Sequence, residues 1–319
     1  MNRVLMGLLS VISLVAAGCG GYKPGPLGSP DNPIQMAFVP SGDPIKIALA
    51  ARELADVLTE KTGQSIEIRV PVSYADVLND LDKGKVQIVW LSPLAYVYAS
   101  ETLGAQATLL IERDGRTDYS GVIITRNDSG ISSLEDLQGR PFAFVDPIST
   151  SGSLYPKRLL RGAGIDPEKD LQPVYSGSHT QVVIDVYNGK AAAGAVYGGE
   201  KTDARDRAEE TLPDVKQVTR IIARTEAIPN DNVTFTKDLP DSARKSIRKA
   251  LLDLTKTEDG KRILQAMADI DGLAEVKTDT YDPVRELVKS QGLDIKKIIE
   301  EESEGRRVTA PAPAGASSD

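Results

Sequence analysis

The sequence predicts an α/β protein of two lobes, and three observations carry that prediction. Apolar strand-like runs alternate with amphipathic helical stretches from residue 34 to 91, and the alternation starts again near Tyr119. Segments near 115–120 and 224–232 read as two passages of the chain between those units. Between a Gly/Pro-rich start and an Ala/Pro-rich end lie roughly 270 residues, enough for two compact bodies.

The elements follow in order. Residues 34–39 and 66–70 are short apolar or alternating runs and predict strands. Between them Ile45, Leu49, Leu54 and Leu58 recur at helical spacing, and Gly63 stops the pattern. A helix over 74–83 and a strand over 86–91 complete a β-α-β-α-β series, which predicts a mainly parallel sheet with right-handed crossovers. The second unit reads as strand 122–125, a short capped helix over 131–139 and strand 141–145. Helix 154–162, strand 173–175, helix 180–189 and strand 193–197 follow. After apolar runs at 218–223 and 233–235 the chain ends in helices near 241–257, 259–268 and 281–299. This assigns 34–118 to the first lobe, 119–228 to the second, and 229–301 to a return into the first. In open α/β sheets a ligand sits outside the carboxyl ends of the strands. Two lobes joined by two crossings place that position in a cleft, which hinge closure would bury.

The ends speak to compartment. Arg3 precedes an apolar run from Val4 to Ala17, too short to span a bilayer, so residues 1–18 read as a secretory signal. Ala16-Ala17-Gly18-Cys19 resembles a bacterial lipobox, with Ala16 where leucine is usual, and makes Cys19 the expected lipidated residue. Cys19 is the only cysteine, so no internal disulfide is possible. Residues 19–33, rich in Gly and Pro, read as a tether, and 302–319 as a disordered tail. A net charge of −8 over 319 residues argues against nucleic acid as a partner. A monomer is expected, with no cofactor.

The sharpest chemistry lies where strand 141–145 runs through Asp146-Pro147-Ile148 into Ser149-Thr150-Ser151-Gly152, ahead of a helix. Helix starts leave unpaired N–H groups and a partial positive charge that attract oxyanions. The hydroxyls add donors, and Gly152 permits close backbone approach. The alternative is an ordinary N-cap. His179, the sole histidine, also stands between a strand end and a helix start, and it has no companions for a metal. A nucleophile elbow, a phosphate-binding Gly-x-x-x-x-Gly-Lys-[Ser/Thr] loop and a Gly-x-Gly-x-x-Gly turn are all missing, so nothing supports an enzyme. Several charge-assisted hydrogen bonds of about 1.5–3 kcal/mol each would hold a small anion without any Arg or Lys.

Taken together, Tyr74-Ala75-Asp76-Val77, Trp90-Leu91-Ser92-Pro93-Leu94-Ala95-Tyr96, Tyr119-Ser120-Gly121, the serine turn, Gly177-Ser178-His179 and Ile228-Pro229-Asn230-Asp231 carry a resemblance. In this order they resemble the phosphate/phosphite/phosphonate-binding proteins that serve ABC importers, over roughly residues 34–290. The resemblance implies a two-lobed, type II periplasmic-binding-protein fold with two crossing hinge strands, and a permease as partner. It implies a phosphoryl-binding turn at Ser149, Thr150 and Ser151, a donor at His179, and cleft-shaping aromatics at Tyr74 and Tyr119, with Tyr96 added for its adjacency to the matched Trp90-to-Pro93 run. Glu200 and Asp231 match the acidic pair that some members use for an amino group or a protonated oxygen, which favours an aminoalkylphosphonate and leaves phosphite and hydrogen phosphate open. Two other readings share the fold: an oxyanion sensor for a membrane histidine kinase, and a binding protein for another small organic solute. The second would want stacking aromatics, and Trp90 is the only tryptophan.

Overall fold

The computed structural model describes residues 24–41, 43–69 and 71–309. The signal segment, Cys19 and the residues past 309 lie outside the described residues. Strand β1 (Ile34–Phe38) leads into helix α1 (Pro44–Thr62), capped by Asp43, whose side chain accepts from the amides of Ile45 and Lys46, and closed by Gly63 at φ 67°. β2 (Ile66–Arg69), α2 (Tyr74–Asp82), β3 (Ile88–Leu91), α3 (Pro93–Leu103) and β4 (Gln106–Glu112) follow. The chain then crosses into β5 (Asp118–Arg126), β6 (Pro141–Phe144), α4 (Tyr155–Gly162), β7 (Gln172–Tyr175), α5 (His179–Tyr187) and β8 (Ala193–Gly198). Short helices α6 (Ala204–Ala208) and α7 (Val215–Val218) precede β9 (Thr219–Arg224) and β10 (Ile228–Pro229), from which the chain returns. The return comprises β11 (Asn232–Phe235), α8 (Asp241–Leu254), α9 (Glu258–Ala268), β12 (Gly272–Glu275), α10 (Asp282–Ser290) and α11 (Ile295–Thr309).

The strands form two sheets: one ordered β12-β4-β11-β3-β1-β2, the other β10-β5-β8-β6-β7 with β9 also on β5. This is the two-lobed type II fold. Both sheets are mixed rather than mainly parallel. In the first, β1 pairs β2 and β3 in parallel, whereas β11 and β12 return antiparallel. In the second, the parallel pairs are β6 with β7 and β6 with β8. One apolar core packs α1, α8 and α9 on the first sheet (Leu54, Leu58, Ile247, Leu264); another packs Ile123, Phe142, Phe144 and Leu160 in the second. A third cluster, including Val39, Leu94, Val145 and Val182, runs through the junction.

Several expectations change. Residues 131–139 hold only a 3₁₀ turn, Glu135–Leu137. The Asp136 carboxylate accepts from the amides of Ser132 and Ser133 at 2.8 and 2.9 Å, giving the backbone a turn in place of a helix. The expected helix over 281–299 is two helices, parted at Gly292, whose φ of 60° ends α10. Residues 302–309 are not a loose tail: α11 continues through them, anchored by buried Ile295 and Ile299 and by a 3.0 Å bond from Asn79 to Ser303. From Pro24 onward the expected tether is folded as well. Asp31 accepts from Gly25 N and Ser29 Oγ, Gly28 is bonded to Asn32 and Ser65, and Leu27 packs on the first lobe. Gly and Pro here build a tight turn instead of a flexible spacer.

Candidate functional site

The carboxyl ends of β1, β3, β6, β7 and β8 converge with both crossing segments on one cavity between the lobes. It leaves about 50 Å³ for the centres of water-sized groups, room for a handful of non-hydrogen atoms. Tyr74, Tyr119, Ser149, Thr150, Ser151, His179, Glu200 and Asp231 all line it. Tyr96 does not. Its ring packs on Tyr281 with centroids 4.6 Å apart, and Tyr281 in turn donates its hydroxyl to Asn230 O at 2.9 Å. Tyr96 therefore supports the crossing strand from behind, because its position on α3 faces the core.

The serine turn is wider than an ordinary helix start. Leu154 N bonds Ser149 O, and Tyr155 N bonds Thr150 O, a five-residue spacing that opens the loop Thr150–Leu154. Ser149 Oγ accepts from Gly152 N at 3.1 Å, and Asp146 Oδ1 accepts from Ile148 N at 2.8 Å. Two glycines make the turn possible. A Cβ on Gly152 would stand 2.4 Å from Val145 Cγ2, and one on Gly121 would stand 2.7 Å from Ser151 O. Ser149, Thr150 and Ser151 are each 1% exposed. Tyr74 interacts with Ser149 and Tyr119 with Ser151. Burial, followed by the charge of Asp146 for Tyr74 and of Asp231 for Tyr119, raises both phenols, so they are protonated donors.

His179 is buried at the start of α5. Its Nδ1 accepts from Tyr197 N at 3.0 Å, which assigns the proton of the neutral ring to Nε2. Burial first, then the charges of Arg207 and Arg113, lowers its pKa to about 3, so the ring is a neutral donor. Tyr197 stands edge-on to it, centroids 5.0 Å apart.

Three arginines, none of them named by the sequence reading, also line the cavity, each paired with an acid. Arg113, just past β4, donates to Asp231 at 3.0 Å, to Asn230 Oδ1 at 2.7 Å and to Ala268 O at 2.9 Å. Arg207, on α6, donates to Asp269 at 2.6 Å and stands 5.7 Å from the Tyr197 ring centre. Arg116 lies 3.7 Å from Glu200 and donates to Asp118. Asp231 and Glu200 thus have arginine partners, and Glu200 is largely exposed at the mouth. Nothing in residue spacing announces Arg113, which follows a strand the sequence reading missed. The Asp203/Asp206 capping box of α6 is a legible signal, and it sets Arg207 on that short helix. No group of three or more His, Cys, Asp or Glu suited to a metal is present among the described residues.

Two α/β lobes around a cavity lined by hydroxyls, a neutral imidazole and acid-paired arginines define a solute-binding protein. Comparison with known proteins agrees: residues 36–281 match the model of the family described as ABC transporter, phosphonate, periplasmic substrate-binding protein, and the chain belongs to that family. The family comprises binding proteins rather than enzymes, and it works on the extracytoplasmic side. The chain is 29% identical over 202 residues to the phosphate-import protein PhnD of Mycolicibacterium smegmatis, a match covering 58% of this chain and 62% of that protein. It is 22% identical over 263 residues to the phosphonates-binding periplasmic protein of Escherichia coli, covering 79% and 75%. The structure of PhnD1 from Prochlorococcus marinus in complex with methylphosphonate has the same fold, with a TM-score of 0.72 and 17% identity over 81% of this chain and 98% of that one.

Proposed function

We propose that this chain captures a small tetrahedral oxyanion of the phosphonate, phosphite or phosphate kind and delivers it to an ABC permease. Acylated Cys19 would hold it at the outer face of the cell membrane. The observation that carries this reading is the wide turn at Ser149–Gly152, buried in the interlobe cavity opposite Tyr74, Tyr119 and the Nε2–H of His179. The hydroxyls of Ser149, Thr150 and Ser151 are neutral donors lining one small space, the arrangement that spreads a buried anionic charge over many bonds. Relatives named for phosphate, phosphonates and methylphosphonate support the ligand class. The acidic pair favours a ligand amine less than the sequence suggested, because Arg113 already engages Asp231 and Arg116 stands beside Glu200.

The test is a thermal-shift and calorimetric screen of residues 20–319 against phosphate, phosphite, methylphosphonate and 2-aminoethylphosphonate. A true ligand at about 100 times its Kd should stabilise the protein by about 2.7 kcal/mol. Four flat melting curves, or preferential stabilisation by an uncharged organic solute, would overturn the reading.

A further inference from the structure

Helix α3 starts at the cavity without the cap its own sequence provides. Ser92 occupies the N-cap position in extended conformation, where a serine hydroxyl ordinarily accepts from the second or third amide of the helix. No such bond forms. Pro93, the first helical residue, has no N–H. The amide of Leu94 donates instead to Thr150 Oγ1 of the opposite lobe at 2.9 Å. Thr150 therefore caps α3 from across the cleft, and Ser92 is relieved of that task.

The released hydroxyl is buried. Ser92 is 5% exposed, it lines the cavity together with Ser149 and Thr150, and its Oγ has no hydrogen-bond partner among the described residues. A buried hydroxyl left unpaired is unfavourable, and such groups ordinarily find an acceptor. The protein supplies none here, whereas an oxyanion in the serine cradle would.

We propose that Ser92 is a ligand-binding residue whose Oγ–H donates to an oxygen of the bound oxyanion, so that each lobe contributes a hydroxyl at a helix start. The N-terminus of the eleven-residue α3 lies behind it and favours negative charge. Thr150 joins the two halves: its oxygen accepts from Leu94, and its own O–H stays available to the ligand. This inference rests on reading the cavity as an oxyanion site, and the experiment separates the two.

Binding of methylphosphonate, phosphite and phosphate to residues 20–319 would be measured by calorimetry for wild type, Ser92→Ala and Ser92→Thr. For the tightest wild-type ligand, Ser92→Ala should weaken binding about tenfold or more, the loss expected for one charge-assisted bond. Ser92→Thr, which keeps the hydroxyl, should stay within about threefold, and both variants should melt close to wild type without ligand, as expected for loss of an unpaired hydroxyl. If wild type binds and Ser92→Ala binds equally well, Ser92 is no ligand contact and the oxyanion reading stands. Equal weakening in both variants, or a large drop in the unliganded melting temperature of Ser92→Ala, would show a structural role and overturn the inference. If wild type binds none of the three, the cavity reading itself fails.

Discussion

His179 shows how burial turns a titratable ring into a fixed donor. The unfolded chain takes up a proton on this ring near pH 6.5, whereas the native state resists it down to about 3, for burial and then Arg207 and Arg113 oppose the charge. Between those values the unfolded state binds more protons, so stability falls as pH drops below about 6.5 and is fully present above it. Calorimetric melting temperatures of wild type should therefore decline more steeply from pH 7 to 4.5 than those of His179→Gln. Parallel curves would contradict a buried neutral ring. The arginines act through their partners. Asp231, held by Arg113, is a charge-balanced wall residue, and removing that cation leaves its carboxylate charge unpaired. Arg113→Met should accordingly weaken oxyanion binding by about tenfold or more, because an unpaired carboxylate then faces the anion. Unchanged affinity in that variant would mean Asp231 is remote from the ligand.

The turn Thr150–Leu154 depends on Gly152 for space rather than for unusual dihedral angles. A methyl group there would meet Val145 and the Ser149 hydroxyl, both inside van der Waals distance. Gly152→Ala should abolish oxyanion binding and lower stability by about 1–3 kcal/mol, the ordinary penalty for overpacking a buried site; a melting curve and a titration check both. Wild-type affinity in this variant would show that the turn is not the cradle. Much of this was legible in sequence, because strand runs, helix caps and the Ser/Thr/Gly cluster are local signals. Elements without such signals were not. β4 follows the Gly104 cap of α3, but its run Gln106–Glu112 shows no strict apolar–polar alternation, α3 is apolar on several faces and so lacks a helical stripe, and α6, α7 and β12 are too short for a period to register. Arg113 and Tyr197 reach the cavity through tertiary packing that no spacing encodes, whereas Arg207 sits on a helix whose capping box is readable. Tyr96 went the other way, since adjacency to a matched motif says nothing about which face of a helix it occupies.

Several polar contacts join the lobes beside the apolar cluster at their junction. His179 N donates to Ser41 O at 3.2 Å, Leu94 N to Thr150 Oγ1 at 2.9 Å, and Arg207 to Asp269 at 2.6 Å, while Lys46 pairs with Glu210 on the surface. The half-buried Arg207–Asp269 pair and the exposed Lys46–Glu210 pair should behave differently. Stopped-flow measurements should find ligand release from Asp269→Asn faster by about tenfold, whereas Lys46→Ala should change it by less than about threefold, since exposed ion pairs contribute about 0–1 kcal/mol. Equal effects would mean that closure does not depend on the inner pair. The two passages between the lobes are themselves hydrogen-bonded, with Ile228 opposite Tyr119 and Pro229 opposite Asp118. They form a short two-ply spine, and Tyr119, Asn230 and Asp231 sit on or beside it. If the cavity holds the oxyanion as proposed, twisting that spine would displace Tyr119 and Asp231, so a partner levering the two lobes apart would loosen the ligand in the same movement.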